Sequence, residues 1–274
     1  MKILALDFDG VIVDSVLDSL FVGHNSYLRL HGSGKRKYFG GKLFTFEHWE
    51  DTKKKHQEEI KYYRTLRPYI RGATDYGLIQ KLIEENKSIK NQEEFDNYRK
   101  TVNFDFEAYE KEFYKERARL QNMDYRAWFN LEPPYPKVIE GIKKLLEEET
   151  KIVIATANSR KAIARTFTPE YFGFTIEPED ILDRRYGENK SEQMKQIVKL
   201  YNVKFEKIYF VDDQLSHLIQ AKPLGVKVLL AGWSYATEVQ KEEARKQNIS
   251  IIEKEDDFYP IIKNSLKSES TMFV

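Results

Sequence analysis

Two carboxylates one residue apart, Asp7 and Asp9, close the apolar run Ile3-Leu-Ala-Leu6, and Gly10 follows them. In an extended segment the side chains alternate, so both acids point one way and Phe8 points the other. Adjacent carboxylates repel one another. Such a pair needs a cation between its members, or a raised pKa on one of them. Alone, Asp-x-Asp also fits an acidic loop or helix cap after a strand. Three later segments argue for the chemical reading. The run Lys151-Ile-Val-Ile-Ala ends in the hydroxyl of Thr156. Lys190 opens a helical pattern after the turn-like Tyr186-Gly-Glu-Asn189. Lys207-Ile-Tyr-Phe-Val is apolar apart from its first residue and ends in Asp212 and Asp213.

These segments, in this order, resemble the haloacid dehalogenase superfamily, and within it the Mg-dependent phosphatase branch. That family carries Asp-x-Asp-x-[Thr/Val] at a first strand, Thr or Ser at a second, then a Lys, then an acidic pair. The resemblance implies that Asp7 is a nucleophile forming an aspartyl-phosphate. Asp9 would protonate the leaving alcohol and then activate water. Thr156 would donate to a phosphoryl oxygen, and Lys190 would add fixed positive charge. The implied phosphate and substrate contacts are Thr156, Ala157, Asn158, Lys190, Gly10 and Arg160, although Arg160 can equally well just start a helix. Mg2+ favours oxygen ligands. Asp7, the backbone carbonyl of Asp9 and the acids Asp213 and Asp212 are expected to hold it, with Asp213 direct and Asp212 direct or through water. His217 stands where many relatives have a second Asp, and is expected to be solvated or to lie behind the ligands.

The strands that must position these groups are legible from the pattern. Short apolar runs suit strands buried on both faces. From Pro136 onward they alternate with helical stretches, and Val226–Ala231 and Ile249–Ile252 add two more. The fold class expected is α/β. The resemblance makes it a HAD-type Rossmannoid, doubly wound parallel sheet, with the ligand beyond the carboxyl ends of the strands. Residues 16–132 read as amphipathic helices with no convincing strand. One of these helices is expected from about Phe46 past His56 to just before Pro68. Domains of 1–15 plus 133–274 (core) and 16–132 (helical cap) follow. The prolines of Glu132-Pro-Pro-Tyr-Pro136 suit a stiff connection. The cap is expected to close over the Asp7 site, with Lys35, Arg36 and Lys37 reaching toward an anionic substrate.

Composition narrows the function. The 45 basic and 44 acidic residues give a net charge of +1, with no overall drive toward nucleic acid or membrane. The absence of cysteine excludes disulfides, zinc thiolates and a thiol nucleophile. Met1 runs into the first apolar segment, which leaves no room for a signal peptide and points to the cytoplasm. The expected partner is a small phosphorylated metabolite, with the protein a monomer or homodimer. Three other readings stand beside the hydrolase: a phosphomutase of the same fold, a haloacid dehalogenase, which would not need Asp9, and a non-catalytic binding module.

Overall fold

The structure, a computed structural model, describes residues 1–32, 38–187 and 189–268. Lys35, Arg36 and Lys37 lie outside the described residues. The chain forms two compact units, Met1–Asp14 with Pro133–Val274, and Ser15–Glu132.

The first unit begins with β1 (Ile3–Leu6), all four residues buried. The chain then leaves for the second unit, which is built of helices: α1 (Val16–His31), α2 (Trp49–Lys55), α3 (Gln57–Leu66), α4 (Ala73–Glu84), α5 (Gln92–Thr101), α6 (Phe106–Met123) and α7 (Tyr125–Phe129). Helices α1, α4 and α6 pack on one another. They bury Leu20, Phe21 and Tyr27 with Leu78, Leu82, Tyr109, Phe113 and Leu120. The single helix expected through His56 is broken there, because His56 takes φ −120° and ψ 37° between α2 and α3. Periodicity alone misses such a break, since the apolar face continues on both sides: Trp49 and Tyr63 are both buried. Arg117 of α6 pairs with the buried Asp18 near the start of this unit and lies 3.7 Å from Glu132 at its end.

The chain re-enters the first unit as α8 (Pro136–Glu147), which Pro136 opens where its missing N–H costs nothing. Then follow β2 (Lys151–Ala155), α9 (Arg160–Thr166), β3 (Ile181–Leu182), α10 (Lys190–Tyr201), β4 (Ile208–Asp212), α11 (Leu215–Ala221), β5 (Lys227–Ala231), α12 (Glu238–Lys246), β6 (Ser250–Ile252) and α13 (Phe258–Lys267). The six strands form one parallel sheet in the order β3-β2-β1-β4-β5-β6. Ile3 pairs with Lys151 on one side and with Ile208 on the other, so β1 is central. The outgoing and returning chain are stitched within this unit: Asp14 N–H donates to the Pro133 carbonyl at 2.9 Å, and Tyr135 N–H to Ile12 at 2.9 Å. Among the described residues no helix is long and apolar enough to cross a membrane.

Candidate active site

The sheet order reverses at β1: β2 lies on one side of it and β4 on the other. In doubly wound sheets the crevice at such a point, beyond the strands' carboxyl ends, is where ligands bind. Asp7 follows β1 and extends its ladder, donating its N–H to Val211 at 3.0 Å. Asp212 is the last residue of β4, and Thr156 follows β2 directly. Parallel register therefore brings these three to one edge of the sheet.

Asp7 is buried, and Lys190 Nζ stands 2.9 Å from its Oδ1. Burial pushes the Asp7 carboxyl up to about 6; Lys190 pulls it back, while Asp212 and Asp9 push it further. Lys190 is the first residue of α10, a position fixed by Asn189, whose side chain accepts the Glu192 N–H. Its ammonium also donates to the Ala155 carbonyl and lies 3.5 Å from Asp212. Burial works against this charge, but the two carboxylates outweigh it and hold the Lys190 pKa above its ordinary value.

Asp9 is half-buried. Its Oδ2 accepts a hydrogen bond from Asn158 Nδ2 at 2.7 Å, and its buried Oδ1 has no partner among the described residues. Gly10 then turns the chain with φ +76°, the left-handed region that glycine enters without strain. A Cβ there would lie 2.6 Å from Asp213 Cγ and 2.7 Å from Tyr235 Cε2, so the absent side chain makes room for both. Thr156 is buried. Its Oγ1 accepts the Asn158 N–H at 3.0 Å, and its carbonyl accepts from Gln193 Nε2 at 2.9 Å. Ala157 between them is exposed.

Arg160 is held by neighbours in and after β3. Its Nε donates to the Ile181 carbonyl at 2.8 Å, and its guanidinium lies 4.8 Å from the centre of the Tyr186 ring. These contacts give it a place in packing α9 against β3. Asp212 is fully buried and accepts from Gln214 N–H at 2.8 Å and from His217 Nδ1 at 3.1 Å to each oxygen. Burial opposes its charge, yet His217 and Lys190 hold its carboxyl below the usual range.

Asp7, Asp212 and His217 offer ligand atoms that all lie within 4.8 Å of one another. The expected weighting favoured Asp213 as the direct ligand. In this geometry Asp212 shares the group with Asp7, while the Asp213 carboxylate packs beside Gly10. β4 ends at Asp212, and Asp213 begins the turn into α11. Buried carboxylates, an unpartnered Asp9 oxygen and a raised Asp7 form an oxygen-rich, electronegative set that fits a hard divalent cation. Sequence reasoning passed over Gln193 and Tyr235. Gln193 has a signal, since it lies one turn after Lys190 on the same helix face. Tyr235 donates to Asp14 at 3.0 Å and has none.

Comparison with known proteins bears on the fold and the family. A family model described as hydrolase, haloacid dehalogenase-like hydrolase, matches residues 1–225. No curated protein matches the chain by sequence. A candidate phosphoglycolate phosphatase from Lactobacillus delbrueckii subsp. bulgaricus is similar in structure, with TM-score 0.62 and 14% identity over 96% of this chain and 99% of that one. A hydrolase from Pseudomonas syringae gives 0.56 and 14% over 96% and 99%. A candidate beta-phosphoglucomutase from Thermotoga maritima gives 0.53 and 16% over the same shares, 96% and 99%. At these identities the likeness speaks to the fold.

Proposed function

Since the chain belongs to the haloacid dehalogenase-like hydrolases, we propose that it is an Mg2+-dependent phosphomonoester hydrolase that works through an aspartyl-phosphate on Asp7. One observation carries the reading. A buried carboxylate ends the central strand with a buried ammonium 2.9 Å away, and the second acid, two residues on, is held by Asn158.

In the first step an Asp7 oxygen attacks phosphorus. The bond from phosphorus to the substrate's alkoxy oxygen breaks, and that oxygen takes the proton of Asp9. In the second, Asp9 takes a proton from water while the water oxygen attacks phosphorus, and the bond to Asp7 breaks. Inorganic phosphate leaves, and both side chains return to their starting states. Lys190 offsets charge on Asp7 and on the phosphoryl oxygens. Thr156 Oγ1 accepts the Asn158 N–H and so keeps its own proton for a phosphoryl oxygen. Asp7, Asp212, Asp213 and the Asp9 carbonyl would hold the cation. When bound, the cation neutralises phosphoryl charge and keeps Asp7 ionised at neutral pH.

The substrate class is a small phosphorylated metabolite, and the setting is a cytoplasmic monomer or homodimer. p-Nitrophenyl phosphate and a panel of phosphorylated metabolites, each with Mg2+ and with EDTA, test the reading. Free phosphate released only with Mg2+ supports it, and full activity in EDTA refutes the metal requirement. The likeness to the candidate phosphoglucomutase gives the second reading, in which a sugar phosphate is isomerised and no phosphate is released.

A further inference from the structure

We propose that His217 is a positioning residue: its Nδ1–H holds Asp212, and this leaves Lys190 to Asp7. The inference rests on the hydrolase reading and extends it to a residue with no assigned part in the reaction.

Lys190 is shared between two buried carboxylates, unequally. It lies 2.9 Å from Asp7 and 3.5 Å from Asp212. A fully buried carboxylate without enough donors pulls hard on any cation near it, because leaving it unsatisfied is costly. Asp212 is fully buried, and its donors besides Lys190 are the Gln214 N–H and the His217 ring. The ring stands 3.1 Å from both carboxylate oxygens, which suits a single N–H directed between them. An ionised carboxylate only accepts, so the proton sits on Nδ1. Without that donor Asp212 has one partner fewer, whether or not a cation is bound to it, so it competes more strongly for Lys190 and the ammonium moves off the nucleophile. The ring stays partly open to solvent, with 20% of its side chain exposed, so the site can lose the imidazole without a large cavity.

His217→Leu and His217→Asn decide the matter. The Asn amide N–H approximates Nδ1, whereas Leu offers no donor. For a phosphomonoester with Mg2+, kcat of His217→Leu should fall about 10- to 100-fold, the usual cost of losing a residue behind the reacting groups. KM should change little, and His217→Asn should recover most of the loss. Equal losses in both variants, or none in either, overturn the proposal. Long-range 15N spectra of the wild-type imidazole give a reading that needs no turnover. A protonated Nδ1 that changes its shift in Asp212→Asn supports the hydrogen bond, and a bare Nδ1 overturns it. If the wild type releases no phosphate from any ester, the hydrolase reading falls, while the imidazole spectra still decide whether His217 holds Asp212. A Co2+ spectrum with a nitrogen-ligand signature that disappears in His217→Asn would put the ring on the ion, and would also overturn the proposal.

Discussion

In the proposed reaction a single atom of Asp7 decides the outcome. Asp7→Asn keeps the shape and most of the packing but removes the oxygen proposed as the nucleophile. Turnover should fall by on the order of 10³-fold or more, as when other covalent nucleophiles are removed. Circular dichroism should stay unchanged, and steady-state phosphate release checks the loss. Gly10 decides differently, through space. Gly10→Ala would set a methyl 2.6 Å from Asp213 Cγ at φ +76°. The variant should lose on the order of 1–3 kcal/mol of stability and most of its activity together. Denaturant titration beside an activity assay reads both, and a fully active Gly10→Ala would show that Asp213 is free to move. His217 was hard to read at this scale. Its partner lies five residues back across a strand-to-helix turn, a spacing that neither helix nor strand periodicity marks.

Among the elements, the strands were the most legible part. Apolar runs that end abruptly in polar residues are what parallel strands covered on both faces look like, and β1, β2 and β4 are of that kind. The short β3 leaves no such mark, because Ile181–Leu182 is too brief to show a period. In the helical unit, interhelix polar contacts could not be read, since they join residues far apart in sequence. Glu116 of α6 is the clearest. It is buried and accepts from Asn25 at 2.9 Å and Arg29 at 3.0 Å on α1, and from Arg119 at 2.7 Å. Burial opposes its charge, but these donors prevail and hold its carboxyl below the ordinary value. A folded pKa below the unfolded one contributes stability that is present above the unfolded value, 4.5, and is lost as pH falls through the folded one. Glu116→Gln should therefore destabilise by about 1–3 kcal/mol at pH 7, and the gap between variant and wild type should close on acidification. Melting curves at pH 7 and pH 4 check the sign.

The whole molecule divides into a sheet unit, which carries the proposed reacting groups, and a helical unit inserted after its first strand. The proposed cation ligands all belong to the sheet unit. A cation that binds only the folded state stabilises by mass action, about 2.7 kcal/mol at a hundredfold excess over Kd. Calorimetry with Mg2+ against EDTA should show the sheet unit's melting move upward; no shift at millimolar Mg2+ would count against the site. The placement of β1 also bears on how the chain is born. Ile3 pairs with Lys151 and Ile208, both made long after it. At about 5–20 residues per second, β1 leaves the ribosome roughly 10–40 s before β4 is complete. The helical unit is synthesised within that interval and can fold first. Throughout it Ile3–Leu6, fully buried in the finished protein, remains an apolar segment without its sheet. Until then this strand is exposed apolar surface of the kind that chaperones shield.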